Sequence, residues 1–402
     1  MPHLFTRRLP VVGLLGVLAL TGCAAPADAP AAEPVDTHGA IAGASELAEP
    51  ALGLTTIDAD GQVSHLDLLE ETTADLGRVR APQAVHSDGR YLFAADAAGL
   101  SIVDSGVWTW DHVDHFHYYR APARVLGEVA GEGVATVATS NSSTTGGTGV
   151  FFPDSGEAVL LDTEALSNGE IVERFRLERA AGEGLVVPVG SFAAVASSDA
   201  VTLHEADGTE LAGSTPCAAP TGTITTRVGA VIGCQDGALL VTVADAGPVV
   251  EQIPYPAGTT APRATAFSNR EGRPTVAAVA GDAGVWMLDT RERSWTLVPT
   301  PEPVVQASAV DDNAQNLLAL TADGRVLVLD GETGELRAQT PALVGASLAA
   351  GQSVSLIADQ QRAYLNGPAE GRLWEIDFAD GARVAREFEP SQTPLFVAET
   401  GR

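Results

Sequence analysis

Residues 316–339 read Asn-Leu-Leu-Ala-Leu-Thr-Ala-Asp-Gly, then Arg-Val-Leu-Val-Leu-Asp, Gly-Glu-Thr-Gly and Glu-Leu-Arg-Ala-Gln. The stretch contains two short apolar strands, an Asp-Gly turn between them, a second turn bounded by glycines, and a more polar third strand. Strands this short, joined by turns this tight, predict neighbouring antiparallel strands in one sheet.

The same unit recurs along the chain. Further copies span residues 54–68, 91–108, 157–177, 193–213, 230–253, 275–298 and 363–388. Comparable points of the eight copies are marked by Asp58, Asp104, Asp162, Glu205, Asp245, Asp289, Asp330 and Asp377, which are 40 to 58 residues apart. Repeats of this length without helical periodicity predict an all-β fold, a single β-propeller. Eight copies predict eight blades. Seven remain possible, because the first copy could merge with a strand at residues 394–398 when the ring closes.

The N-terminus has the features of an export signal. Arg7-Arg8 precede an apolar run at residues 11–20, and Leu20-Thr-Gly-Cys23 follows. These last four residues resemble a lipobox, so we expect residues 1–22 to be a lipoprotein signal peptide and Cys23 to be the lipid anchor. An ordinary cleaved signal with an incidental cysteine is the alternative.

Residues 23–50, rich in Ala, Pro and Glu, predict a flexible tether, and residues 51–402 form the propeller domain. The expected location is the outer face of the cytoplasmic membrane, with membrane contact through the anchor alone.

Charge and cysteines restrict the partners and the redox environment. The formal net charge is −29, and such an acidic field would repel nucleic acid and anionic membrane surfaces. Cys217 and Cys234 are the two cysteines left after the predicted anchor. In an exported protein a cysteine pair favours a disulfide.

A cluster of histidines predicts a metal site. Three of the eight histidines, His112, His115 and His117, fall within six residues and alternate with Asp111 and Asp114. Neutral imidazole is a preferred zinc ligand, and either carboxylate could complete a tetrahedral shell. On a strand only the second and third histidines would share a face, and on a helix only the first two would. All three can converge only on an irregular segment, which we expect to be a loop beside strands.

The widest gap between copies, residues 104–162, holds this histidine run and carries a family resemblance. The resemblance lies in Asp-Ser-Gly-Val-Trp at 104–108, Asp-His at 111–112, Asp-His-Phe-His-Tyr-Tyr-Arg-Ala-Pro at 114–122, Gly-Glu-Gly-Val-Ala-Thr at 131–136, Gly-Glu-Ala-Val-Leu-Leu-Asp at 156–162 and Ala-Glu-Thr-Gly-Arg at 398–402. These strings resemble the extracytoplasmic zinc metallochaperones of the AztD type. The position of the gap predicts an insertion in one blade that emerges at one face of the ring.

The resemblance implies a function and a ligand set. It implies an eight-bladed propeller that is not an enzyme, binds Zn²⁺ and passes it to the solute-binding protein of a zinc ABC importer. His112, His115 and His117 match the family's histidine run, and His86 matches a further histidine position. Two features depart from the family pattern: no histidine follows Cys217 closely, and residues 24–50 contain a single histidine, His38. The departures imply that a secondary zinc site is missing.

Two other functions remain open. Some propellers are metal-dependent hydrolases, although their ligands usually come from several blades, whereas these histidines lie in one insertion. A lipid-anchored scaffold that only binds protein is the second alternative, because a fold alone does not define a function.

Overall fold

The computed structural model describes residues 39–111 and 115–402, in which short strands dominate. The strands of the first half are β1 (Ser45–Leu47), β2 (Gly53–Ile57), β3 (Gln62–Asp67), β4 (Thr73–Arg78), β5 (Ala84–Ser87), β6 (Tyr91–Asp96), β7 (Gly99–Asp104), β8 (Val107–Asp111), β9 (Phe116–Arg120), β10 (Arg124–Ala130), β11 (Thr136–Thr139), β12 (Gly147–Phe152), β13 (Glu157–Asp162), β14 (Glu173–Glu178), β15 (Gly184–Val189), β16 (Phe192–Ser197) and β17 (Ala200–Glu205). Those of the second half are β18 (Glu210–Pro216), β19 (Thr223–Thr225), β20 (Ala230–Cys234), β21 (Gly237–Ala244), β22 (Gly247–Pro254), β23 (Thr275–Val279), β24 (Val285–Asp289), β25 (Ser294–Val298), β26 (Val304–Ala309), β27 (Asn316–Thr321), β28 (Val326–Asp330), β29 (Leu336–Gln339), β30 (Leu356–Ala358), β31 (Ala363–Gly367), β32 (Arg372–Asp377), β33 (Arg383–Phe388) and β34 (Phe396–Thr400). The helices are α1 (Thr163–Ser167), α2 (Gly345–Ala349) and a 3₁₀ turn at Gly281–Ala283. None of the helices in this described part is long and apolar enough to cross a membrane.

Eight antiparallel sheets of the described chain form the blades of a propeller. In chain order their strands are β34-β2-β3-β4, β5-β6-β7-β10, β11-β12-β13-β14, β15-β16-β17-β18, β19-β20-β21-β22, β23-β24-β25, β26-β27-β28-β29 and β30-β31-β32-β33. The sixth blade has three strands, and an isolated bridge between Ser268 and Ala277 extends it. The predicted all-β propeller is confirmed, and its blades number eight.

Strand β34 closes the ring by pairing with β2. Gly53 lies opposite Thr400, and Ile57 lies opposite Phe396. The late strand therefore does join the first repeat. The ring nevertheless keeps eight blades, because blade 8 has four strands of its own, β30 to β33.

His65 links the three inner strands of this closing blade. Its Nδ1 lies 2.9 Å from the hydroxyl of Thr55 on β2, and that hydroxyl lies 3.0 Å from the hydroxyl of Thr400 on β34. His65 is 8% exposed, and burial lowers its pKa from 6.5 to about 4. The ring is therefore a neutral hydrogen-bonding group at the closure.

Apolar side chains pack between neighbouring blades. Strands β6, β7 and β12 are buried along their whole length, so both of their faces are covered. Between blades 3 and 4, for example, Phe151 and Leu160 pack in one cluster with Val186 and Val195. Burying one such side chain contributes roughly 1.5–3 kcal/mol. Each blade thus depends on its neighbours for a core.

A disulfide joins two consecutive blades. Cys217 follows β18 of blade 4, and Cys234 ends β20 of blade 5. Their sulfur atoms are bonded, and their Cα atoms lie 5.1 Å apart. The predicted pairing is confirmed.

Strands β8 and β9 form a hairpin inserted into blade 2 between β7 and β10, so the histidine run lies in a one-blade insertion as expected. Together with β1 the hairpin makes a separate sheet of order β1-β9-β8. Strand β1 lies inside the segment predicted as a tether, residues 23–50, so the end of that segment is part of the fold. The predicted signal peptide, residues 1–22, and Cys23 lie outside the described residues.

Candidate metal site

The base of the inserted hairpin is fixed to blade 2. Gly106 begins the insertion with φ +77°, and a Cβ there would lie 2.3 Å from the carbonyl oxygen of Ala121, so only glycine fits. Trp108 is 1% exposed and stacks on Tyr119 with ring centroids 5.4 Å apart. The guanidinium of Arg90 lies 3.9 Å from the centroid of the Trp108 ring. These contacts determine the direction in which the hairpin leaves the ring.

The far end of the hairpin contacts other parts of the ring. The hydroxyl of Thr109 donates to the carbonyl of Gly401 at 2.8 Å. Farther along β8, the carboxylate of Asp111 accepts from Arg227 Nη2 at 3.1 Å. Arg227 follows β19 of blade 5, and its amide donates to the carbonyl of Gly272 at 3.0 Å. The hairpin thus extends from blade 2 to the residues that end the inner strand of blade 5.

A polar cavity of about 210 Å³ lies at the end of the inner strands that the hairpin reaches. Its lining comes from blades 2, 3, 5 and 6 and includes His86, Thr139, Thr225 and Gly272. Because Gly272 accepts a hydrogen bond from Arg227, the ion pair to Asp111 lies at the rim of the cavity. The histidine hairpin and the cavity therefore adjoin each other.

The structure brings two of the predicted metal ligands together. The rings of His115 and His117 have centroids 4.7 Å apart in an edge-to-face arrangement. His117 lies in β9 and Asp111 ends β8, so the ends of the run are ordered as a hairpin rather than as the expected loop. His112 and Asp114 lie outside the described residues.

A carboxylate from the N-terminal strand contacts the histidine pair. Glu46 on β1 places Oε1 2.7 Å from Nδ1 of His117. The His117 ring also lies near the rings of Trp110, 6.0 Å between centroids, and Tyr119, 6.2 Å between centroids. Ring packing and the contact with Glu46 thus both act on the orientation of His117.

No complete metal shell is formed by side chains in residues 39–111 and 115–402, because no three His, Cys, Asp or Glu groups there converge on one point. Of the predicted ligands in the described residues, His115 and His117 lie together, Asp111 pairs with Arg227, and His86 lines the neighbouring cavity. Imidazole pairs and carboxylates are donors that suit zinc. The donor set therefore fits zinc, and the role of His112 and Asp114 stays a prediction.

His86 lies on β5 and lines the neighbouring cavity rather than the hairpin. Loss of hydration inside the propeller lowers the pKa of the His86 imidazole, although this side chain stays accessible from the cavity. His86 is therefore a neutral donor or acceptor at the cavity wall. Its role as a metal ligand remains a prediction.

Buried carboxyl groups give the cavity its electrostatic character. Asp88 is 8% exposed, and its Oδ1 accepts from the amides of Arg90 and Tyr91 at 3.0 and 2.7 Å. Burial raises the pKa of Asp88 to about 7. Burial also raises the pKa of Glu399, which lies behind the cavity-lining Arg402, to about 8, although Arg402 Nη1 lies 2.8 Å from its Oε2. Burial thus works against the charged form of both carboxyl groups.

Several polar residues of this region could not be predicted from the sequence. Glu46 lies in a segment without strand periodicity, so nothing in the sequence indicated its contact with His117. Glu271, whose carboxylate lies 2.8 Å from Arg402 Nε, comes from a loop before β23. Asp88 stands in the run Ser-Asp-Gly at 87–89, which is typical of a turn and does not indicate burial. Identifying these residues requires the order of blades around the ring, which spacing along the chain does not contain.

No protein-family model and no curated protein matches the chain. Solved structures do match it. Apo AztD from Citrobacter koseri superposes with a TM-score of 0.74 at 17% identity, covering 88% of this chain and 98% of that one. A second crystal structure of Citrobacter koseri AztD gives 0.74 at 19% identity, with 88% and 99% covered. The dihydro-heme d1 dehydrogenase NirN gives 0.54 at 14% identity, with 88% and 76% covered. At such identities the likeness concerns the fold, and in its fold this chain is an AztD-type β-propeller.

Proposed function

We propose that this protein is an extracytoplasmic zinc-binding metallochaperone that delivers zinc to the solute-binding protein of an ABC importer. The observation that carries the proposal is the His115–His117 pair, 4.7 Å apart, on a hairpin inserted into an AztD-type propeller. Zinc is the cargo. Imidazole ligands bind it in the neutral form, and neighbouring carboxylates can complete its shell or orient the rings.

The position of the pair supports a carrier rather than a permanent metal centre. A carrier has to release its ion, which requires ligands that a partner can reach. His115 and Phe116 are exposed, and the hairpin lies at one end of the ring. In this proposal the protein is held by a lipid on Cys23 at the outer face of the cytoplasmic membrane. Zinc then passes to the partner by ligand exchange.

Zinc affinity tests the binding half of the proposal. The mature chain lacking Cys23 is titrated with zinc against a competing chelator, alongside a variant with His112, His115 and His117 all changed to Ala. We expect the triple variant to lose high-affinity binding. His38→Ala, which removes a histidine from the predicted tether, serves as the matched control and should bind like the parent. Equal affinity in the parent and the triple variant would leave a propeller that only binds protein.

Transfer kinetics test the delivery half. The zinc-loaded protein is mixed with a zinc-free solute-binding protein of an ABC importer, and metal arrival is followed over time. The comparison is the same concentration of zinc released from a chelator of equal affinity. Loading faster than from the chelator is the expected result, because direct exchange avoids the free ion. Equal rates would refute delivery while leaving zinc binding intact.

A further inference from the structure

Strand β1 adds a carboxylate to the histidine hairpin. Its three residues pair with β9 so that Glu46 lies opposite Tyr119 and Leu47 lies opposite Tyr118. His117 is two residues from Tyr119 along β9, so its side chain is on the same face of the sheet as that of Glu46. The resulting contact, 2.7 Å from Glu46 Oε1 to His117 Nδ1, is hydrogen-bonding distance.

We propose that Glu46 is a positioning residue of the zinc site: it accepts the Nδ1–H of His117 and so keeps Nε2 of this ring as the metal-binding nitrogen. The inference rests on the proposed function. Metal-binding histidines usually donate their second ring N–H to a carboxylate or carbonyl, which selects the tautomer and makes the other nitrogen a better ligand. Glu46 is a carboxylate in this position.

The aromatic neighbours of His117 and its contact with Glu46 act on different properties of the ring. Tyr119 stacks on the ring at an interplanar angle of 14°, and Trp110 lies 6.0 Å away at 53°. Aromatic neighbours of this kind determine the plane of the ring. They do not distinguish its two nitrogens, which requires a directional hydrogen-bond partner. The contact of His117 Nδ1 with Glu46 Oε1, at 2.7 Å, is directional in this sense.

The contact is unsuited to a purely structural role. The side chain of Glu46 is 57% exposed, and ion pairs this open to water contribute little to folding stability. The docking of this segment has other supports, namely the ladder between β1 and β9 and the hydrogen bond of 3.0 Å from Trp108 Nε1 to the carbonyl of Gly39. Removing the carboxylate should therefore change the chemistry of His117 without releasing the strand.

The test compares Glu46→Ala, which removes the acceptor, with Glu46→Gln, which keeps an acceptor oxygen without the charge. Glu49→Gln, at an exposed position three residues farther along, is the matched control. For each protein we measure the tautomer of His117 by ¹⁵N NMR without zinc, zinc affinity by chelator competition, and thermal stability. The expected parent state is Nδ1–H, with zinc then bound through Nε2.

We expect Glu46→Ala to populate the Nε2–H tautomer and to weaken zinc binding roughly 10–100-fold, the usual effect of losing such a partner. Glu46→Gln should retain the Nδ1–H tautomer and recover part of the affinity, and all three variants should melt like the parent. An unchanged tautomer and affinity in Glu46→Ala, or zinc bound through Nδ1 of His117 in the parent, would overturn the inference. If the parent itself binds zinc no better than the triple histidine variant, the proposed function fails as well; the zinc-free NMR spectrum still reports separately whether Glu46 selects the tautomer.

Discussion

Protonation of His65 in acid should destabilise the sheet that closes the propeller. This imidazole is 8% exposed, and burial lowers its pKa from 6.5 to about 4. The negative charge of Asp67 partly opposes this lowering of the His65 pKa, and the positive charge of Arg120 adds to it. Because the folded-state pKa is lower than the unfolded value, the unfolded chain binds the extra proton first as the pH falls. The contribution of His65 to stability is therefore complete above about pH 6.5 and declines between pH 6.5 and pH 4.

The magnitude follows from the two pKa values. Each pKa unit corresponds to about 1.4 kcal/mol, so a shift from 6.5 to about 4 corresponds to about 3 kcal/mol of unfolding free energy once the pH has fallen to about 4. Carboxyl groups elsewhere titrate in the same window. The contribution of His65 has to be isolated by comparison with a variant.

His65→Asn supplies that comparison, because asparagine cannot take up a proton but offers a polar group near the position of Nδ1. Urea unfolding of the parent and the variant is followed from about pH 7.5 to about pH 4. We expect the variant to be less stable at neutral pH and the parent to lose this advantage as the pH falls. Ser64→Ala is the control: it removes a hydroxyl of the same strand that donates to Gln392 at 3.4 Å, should cost at most about 1 kcal/mol at every pH, and should leave the pH dependence unchanged. A constant difference between parent and His65→Asn over the whole range would refute the reasoning.

Three further predictions concern the cavity, the disulfide and the hairpin. Burial raises the pKa of Asp88 from 3.8 to about 7, so its carboxyl group destabilises the fold increasingly as the pH rises from about 4 to about 7, by at most on the order of 4 kcal/mol. In thermal melts, Asp88→Asn should be more stable than the parent at pH 8 and should lose that advantage near pH 4. The opposite trend would contradict the raised pKa. Changing Cys217 and Cys234 together to Ser should cost about 3 kcal/mol, because the disulfide closes a loop between residues 17 positions apart. Reducing agent should lower the melting temperature of the parent but not of the double variant. Gly106→Ala puts a Cβ 2.3 Å from the carbonyl oxygen of Ala121, so it should displace the hairpin and weaken zinc binding with little loss of propeller stability. An unchanged zinc affinity would mean that the base of the hairpin accommodates the added Cβ.

The number of blades could be predicted because each blade is a local meander. Turn glycines, acidic residues at turns and alternating apolar strands all lie within one repeat, so they appear in the sequence as a period. Ring closure was harder to interpret, since β34 and β2 pair across almost the whole chain. Seven blades would result if this pairing merged the first repeat with the last one into a single blade. It does not, because β30 to β33 already complete blade 8.

The candidate site was predicted only in part because its residues come from separate elements. His115 and His117 are close in sequence and are brought together as expected. Glu46 reaches them through a strand of three residues, which is too short to produce a periodic signal. Arg227 meets Asp111 from a blade three positions along the chain. Contacts of this kind depend on the arrangement of the whole ring.

The pairing of β34 with β2 has a consequence for the order of folding events. The hydroxyls of Thr55 and Thr400, 3.0 Å apart, are separated by 345 residues. During synthesis, β2 therefore has an unpaired backbone edge until nearly the entire chain is available, and such an edge can pair with another molecule. Proteolytic removal of residues after Leu395 would recreate that edge in the finished protein. We expect nicked molecules to associate through blade 1.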